Sequence, residues 1–80
     1  MAYGLQGIFS SNSKLVQLTV KGEQVLDKEG GEGDMWNILW YLKGNGASSV
    51  KEISQKVDIP FPRAQNIIKG LVKERWAQWV

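Results

Sequence analysis

The stretch DIPFPRAQNIIKGLVKERW, residues 58–76, decides how this chain folds. Pro60 and Pro62 stand two residues apart, directly before apolar residues with helical spacing. First-turn amides have no intrahelical partner, so Pro62 loses no hydrogen bond there and its fixed φ favours starting a helix. Pro60 drives Ile59 out of helical backbone and ends whatever helix precedes it. The spacing predicts a helix from about Phe61 to Glu74, with Ala64, Ile67, Ile68 and Leu71 turned inward. Arg63, Gln65, Asn66, Lys69 and Lys73 fall on the outward positions.

Working upstream, Ser49 and Glu52 fit a capping box for a short helix, VKEISQKV, with Val50, Ile53 and Val57 on one side. Asp34 offers an N-cap oxygen to a preceding helix, MWNILWYLK, in which Met35, Ile38, Leu39 and Leu42 form one apolar face. Gly44 follows at the place where a left-handed residue usually stops a helix. Downstream, WAQWV at 76–80 alternates large residues and reads as a strand.

The first third reads as strands. Tyr3, Leu5 and Phe9 share one face of an extended segment, SSNS at 10–13 turns the chain, and KLVQLTV places Val16, Leu18 and Val20 on one side. KG at 21–22 turns again toward a short EQVL. A helical reading of LTVKGEQVLD, with Leu18, Val25 and Leu26 as its stripe, is the weaker one because of Gly22 and the β-branched Thr19 and Val20. KEGGEGD at 28–34 reads as a Gly-rich connector.

Composition bounds the function. Eighty residues make one thin-cored domain, because a chain this short buries only about 60% of its unfolded surface. Without His or Cys the chain lacks the commonest general base, the best nucleophile and the usual zinc ligands. No P-loop, dinucleotide fingerprint or metal-loop spacing occurs, so no catalysis and no cofactor are expected. No stretch approaches the roughly 18 apolar residues that span a bilayer, and the first residues lack the order of a signal peptide; no membrane association and a cytoplasmic location are expected. The charge is asymmetric. Residues 1–34 hold three Lys against five acids, a net −2, whereas residues 35–80 hold seven Lys and Arg against three acids, a net +4. A basic half suits a polyanion.

A short helix, a tight turn with an aliphatic residue and a longer helix with polar outward residues describe a helix-turn-helix. VKEISQKVDIPFPRAQNIIKGLVKERW resembles the core of the winged-helix superfamily over residues 35–80. Ile53 and Ser54 stand where those proteins place a Leu-Ala pair, Ile59 matches the buried turn residue, Ala64 the inward residue of the recognition helix and Leu71 its anchor. Two features depart from the pattern. Arg75 replaces a frequent helix-ending Gly, and no β-hairpin wing follows Val80 within this sequence. N-terminal strands paired with WAQWV would supply the missing sheet.

The resemblance implies an α+β domain with a three-helix core and a small antiparallel sheet: residues 1–27 a β-hairpin region, 28–34 a connector and 35–80 the helix-turn-helix. It implies double-stranded DNA as partner, in a transcriptional regulator or architectural factor. In a major-groove docking Arg63 would meet guanine and Gln65 or Asn66 adenine, while Lys69, Lys73 and the amides near Ser48 and Ser49 would hold phosphates. So few cations bind weakly as a single copy, so dimerisation is expected, and Trp36 and Trp40, one turn apart, offer a homodimer contact. The alternative is a winged helix used for protein–protein contact. Plain solvation explains exposed Lys and Asn equally well, and Arg63 has Asp58 nearby as a partner.

Overall fold

A computed structural model describes residues 14–80; the extended segment expected around Tyr3, Leu5 and Phe9 lies outside them. The elements run β1 (Leu15–Leu18), α1 (Val20–Glu29), α2 (Asp34–Asn45), β2 (Ser48–Ser49), α3 (Val50–Val57), α4 (Phe61–Lys73) and β3 (Ala77–Trp79). Among the described residues, four helices stand on a three-stranded antiparallel sheet, an α+β arrangement.

The proline pair acts as expected. Asp58 closes α3 in left-handed backbone (φ 63°, ψ 52°), a conformation that Asp tolerates better than most residues. The amides of Asp58 and Ile59 both donate to the Ser54 carbonyl. Pro60 is extended and N-caps α4, whose first full turn closes with the Ala64 amide donating to the Pro60 carbonyl at 3.0 Å. Only Asp58, Ile59 and Pro60 separate the two helices, so α3 and α4 pack against each other. At the head of α3, the Ser49 hydroxyl accepts from the Glu52 amide at 3.1 Å, as the capping box requires. Its reciprocal half is missing, because Glu52 instead accepts from the Tyr41 hydroxyl at 2.5 Å.

The core is a single cluster drawn from every part of the described chain. Val16 from β1, Leu26 from α1, Ile38, Leu39 and Leu42 from α2, Ile53 from α3, Ile68 and Leu71 from α4, and Ala77 from β3 are all buried together. Two buried hydroxyls in this small interior are satisfied locally. Ser54 donates to the Lys51 carbonyl at 2.8 Å and Ser48 to the Gly46 carbonyl at 3.0 Å.

Strand order in the sheet is β2-β1-β3. Val16 is the hinge of the register, paired with Ser48 on one side and Trp79 on the other. Gln17 faces Gln78 and Leu18 faces Ala77, so the N-terminal strand pairs with the C-terminal one, as expected. Lys14, just before β1, lays its ammonium over the Trp79 ring at 4.8 Å.

Several expectations are corrected. Residues 20–29 form helix α1 rather than a second strand, which adds a fourth helix to the expected three. Thr19 explains the switch: it leaves the strand in extended backbone, and its hydroxyl accepts from the Gly22 amide as an N-cap. The same residue fastens the chain ends, donating from its amide to the Trp76 carbonyl (3.0 Å) and from its hydroxyl to the Arg75 carbonyl (2.6 Å). Val20, expected on the buried side of a strand, is exposed on the first turn of α1. The connector is shorter than expected, because α1 continues to Glu29 and α2 begins at Asp34. Gly33, not Asp34, caps α2, leaving the Asp34 carboxylate free for another partner. Gly44 lies inside α2, which stops at Asn45 with Gly46 beyond it at φ 79°.

Helix α4 ends in a Schellman arrangement. The Trp76 amide donates to the Leu71 carbonyl at 2.9 Å and the Arg75 amide to the Val72 carbonyl at 3.0 Å, with Arg75 left-handed at φ 66°. An L residue with a Cβ is strained there by about 1 kcal/mol relative to Gly. Arg75→Gly is expected to raise stability by roughly 0.5–1 kcal/mol in urea denaturation at unchanged m-value.

Candidate nucleic-acid interface

Apolar spacing in α4 turns Ala64, Ile68 and Leu71 into the core and leaves a ridge on the other side. Arg63, Asn66, Lys69 and Lys73 are all exposed along it, and Gln65 is half-buried on its flank. At 3.6 residues per turn, Asn66 and Lys73 point most directly away from the core, and Gln65 and Lys69 lie one turn apart on one side. Prolines at the head of the helix bring Arg63 onto its first turn.

Depressions run along both flanks. On one side a groove of about 540 Å³ is lined by apolar Met35, Ile67, Leu71 and Trp76 and edged by Asn66, Gly70, Lys73 and Glu74. On the other, a cleft of about 260 Å³ lies between the sheet and the heads of α3 and α4. Phe61, Gln65 and Trp79 form its walls, Lys14 and Lys51 stand at its rim, and among the described residues no acidic side chain lines it. Phe61 is 46% exposed there.

Lys14 and Lys51 were not anticipated as part of this face. No local signal marks them: β1 as the middle strand places Lys14 near the first residues of α3, where Lys51 stands. Ser48 is 2% exposed, and its hydroxyl donates to the Gly46 carbonyl. Ser49 is half-buried and occupied in capping α3.

Ion pairing sorts the cations. Lys43 bonds to Asp27 at 2.5 Å, and that carboxylate raises the pKa of the ammonium above its ordinary value. The Glu52 carboxylate likewise raises the phenol pKa of Tyr41. Arg63 does not pair with Asp58; its Nε donates to Oδ2 of Asp34 at 2.5 Å, across to the head of α2. Among the described residues, Lys14, Lys21, Lys28, Lys51, Lys56, Lys69, Lys73 and Arg75 have no ion-pair partner. Four of these, Lys14, Lys51, Lys69 and Lys73, lie on the ridge and its cleft.

The two tryptophans expected to share a dimer contact part company. Trp36 stacks on Trp76 within the molecule, with ring centroids 6.4 Å apart, while Trp40 is 47% exposed with the Lys43 ammonium 5.5 Å from its ring.

Fold and face together define a small α+β domain whose C-terminal helix presents a cationic ridge between two depressions. No protein-family model matches the chain, and comparison with curated proteins and with solved structures gives no match either. Among the described residues no helix is long and apolar enough to cross a membrane, and no three potential metal ligands cluster.

Proposed function

We propose that this chain is a non-catalytic, winged-helix-like DNA-binding protein that lays α4 against the duplex. The observation that carries the reading is the exposed ridge of Arg63, Asn66, Lys69 and Lys73 beside a cleft edged by Lys14 and Lys51. Its sheet supports the winged-helix likeness. β1 runs antiparallel to β3, in the place where a wing strand returning from β3 would lie. Arg63 and Gln65, near the helix start, approach base edges, while Lys69, Lys73, Lys14 and Lys51 meet phosphates.

About four phosphate contacts imply a slope of roughly −4 in log K against log salt, so raising salt fourfold weakens binding by a few hundredfold. A low-salt gel-shift titration of wild type, Arg63→Ala and Lys69→Ala with random duplex DNA checks this. Both substitutions are expected to weaken binding; Lys69→Ala is expected to lower the salt slope by about 1, whereas Arg63→Ala leaves the slope nearly unchanged. Equal binding by all three, or none at all, defeats the reading.

A second reading, a protein-binding module, is favoured by the apolar groove of Met35, Ile67, Leu71 and Trp76 beside the same helix. Trp40 is the residue left to mediate a homodimer, since Trp36 is stacked internally. Binding that persists as salt rises points to this reading, because apolar contacts are barely screened.

A further inference from the structure

Resting on the DNA reading, we infer that Asp34 is a positioning residue for specificity: it holds Arg63 so that the outer edge of the guanidinium reads one guanine. Asp34 opens α2, so its backbone is fixed by a helix rather than by a loop. Its carboxylate accepts from Nε, the inner nitrogen of the Arg63 side chain, at 2.5 Å. That is the only hydrogen bond the guanidinium makes among the described residues, which leaves both terminal amino groups unengaged. Those two groups form the fork that matches O6 and N7 of guanine in the major groove. Arg63 is the third residue of α4, within the turn that approaches base edges in such a docking.

The pair has little value as a stabiliser. Side-chain exposures of 60% for Arg63 and 31% for Asp34 place it in the class of surface ion pairs that contribute little to folding. For a phosphate-gripping cation, a neighbouring carboxylate would be a handicap, since it cancels the charge that binds. For a base-reading Arg it is an advantage: a long flexible side chain is ordered before binding, so less freedom is lost when the fork engages. The segregation of cations on this face follows the same logic, with unpaired Lys for phosphates and one tethered Arg for a base.

The experiment uses the full chain and a random-sequence 20-base-pair duplex pool at low salt. Affinity for the unselected pool is read by anisotropy, and base preference by sequencing the bound duplexes. Wild type is expected to enrich guanine at one position. Asp34→Ala is expected to bind the pool as tightly or a few-fold more tightly, having lost a repelling charge, while its guanine preference falls roughly tenfold. Asp34→Asn, whose amide oxygen still accepts from Nε, retains most of the preference, and Arg63→Lys loses it. Unchanged guanine enrichment in Asp34→Ala, or no guanine enrichment by wild type, overturns the inference while leaving DNA binding standing. Failure of wild type to bind the pool removes the DNA reading and the role of Asp34 together.

Discussion

Gly22→Ala is expected to destabilise the protein by about 2–3 kcal/mol, although the same change in an isolated helix would be favourable. Gly22 sits in the first turn of α1 with its Cα pressed against the Trp76 carbonyl. A Cβ built there falls well inside contact distance of that oxygen, 2.8 Å from the carbonyl carbon and 2.9 Å from Leu18 Cδ1. The obstacle is backbone, and that same oxygen accepts from the Thr19 amide, so relief requires α1 to lift off the α4–β3 junction. For a domain of this size the loss corresponds to a fall in Tm of roughly 10–20 °C. Gly44→Ala is the internal control. It too lies within a helix, has nothing within 4 Å of the added Cβ, and is expected to gain up to about 1 kcal/mol. Thermal unfolding of the two variants side by side checks the argument, which fails if both move in the same direction.

A fragment of residues 31–80 is expected not to fold by itself, although it contains every residue that suggested a helix-turn-helix. Removing residues 1–30 takes away Val16 and Leu26, each buried in the core, and burial of one such side chain is worth about 1.5–3 kcal/mol. It also removes the middle strand. β2 and β3 touch β1 and not each other in the sheet order, so both lose their ladder at once. Against a total stability of roughly 4–12 kcal/mol for 80 residues, those losses remove most of what holds α2, α3 and α4 in place. Circular dichroism without a cooperative melt and a collapsed amide NMR spectrum are the expected results. A dispersed spectrum from the fragment would show that β1 and α1 are accessory.

The α3–α4 unit was legible from the chain because its signals act over a few residues. Pro60 and Pro62 restrict backbone angles whatever surrounds them, and Ser49 caps an amide three positions away. Helix α1 was not legible from the chain, because Gly22 and the β-branched Thr19 and Val20 are poor intrinsic helix formers. The reason for Gly22 is a carbonyl at Trp76, which no window around residue 22 contains. The candidate interface divides the same way. Outward Asn66, Lys69 and Lys73 follow from helical period, whereas Lys14 joins the face through the sheet and Lys51 through the packing of α3 on α4. Ser48 looked available beside a capping Ser and proved to be interior.

By itself, then, the sequence determined where the last two helices start and stop and which face of each is apolar. Dihedral restriction, local capping and side-chain period decide such matters, and each has a reach of about one helical turn. The tertiary structure alone decided that residues 20–29 coil rather than extend, that β1 takes the central place in the sheet, and that Arg63 bonds to Asp34 and not to Asp58. The last contact joins residues 29 apart, and the Thr19 clasp on Arg75 joins residues 56 apart. Such choices depend on which surfaces remain to be buried once the local pieces exist, and only the packed molecule contains that information.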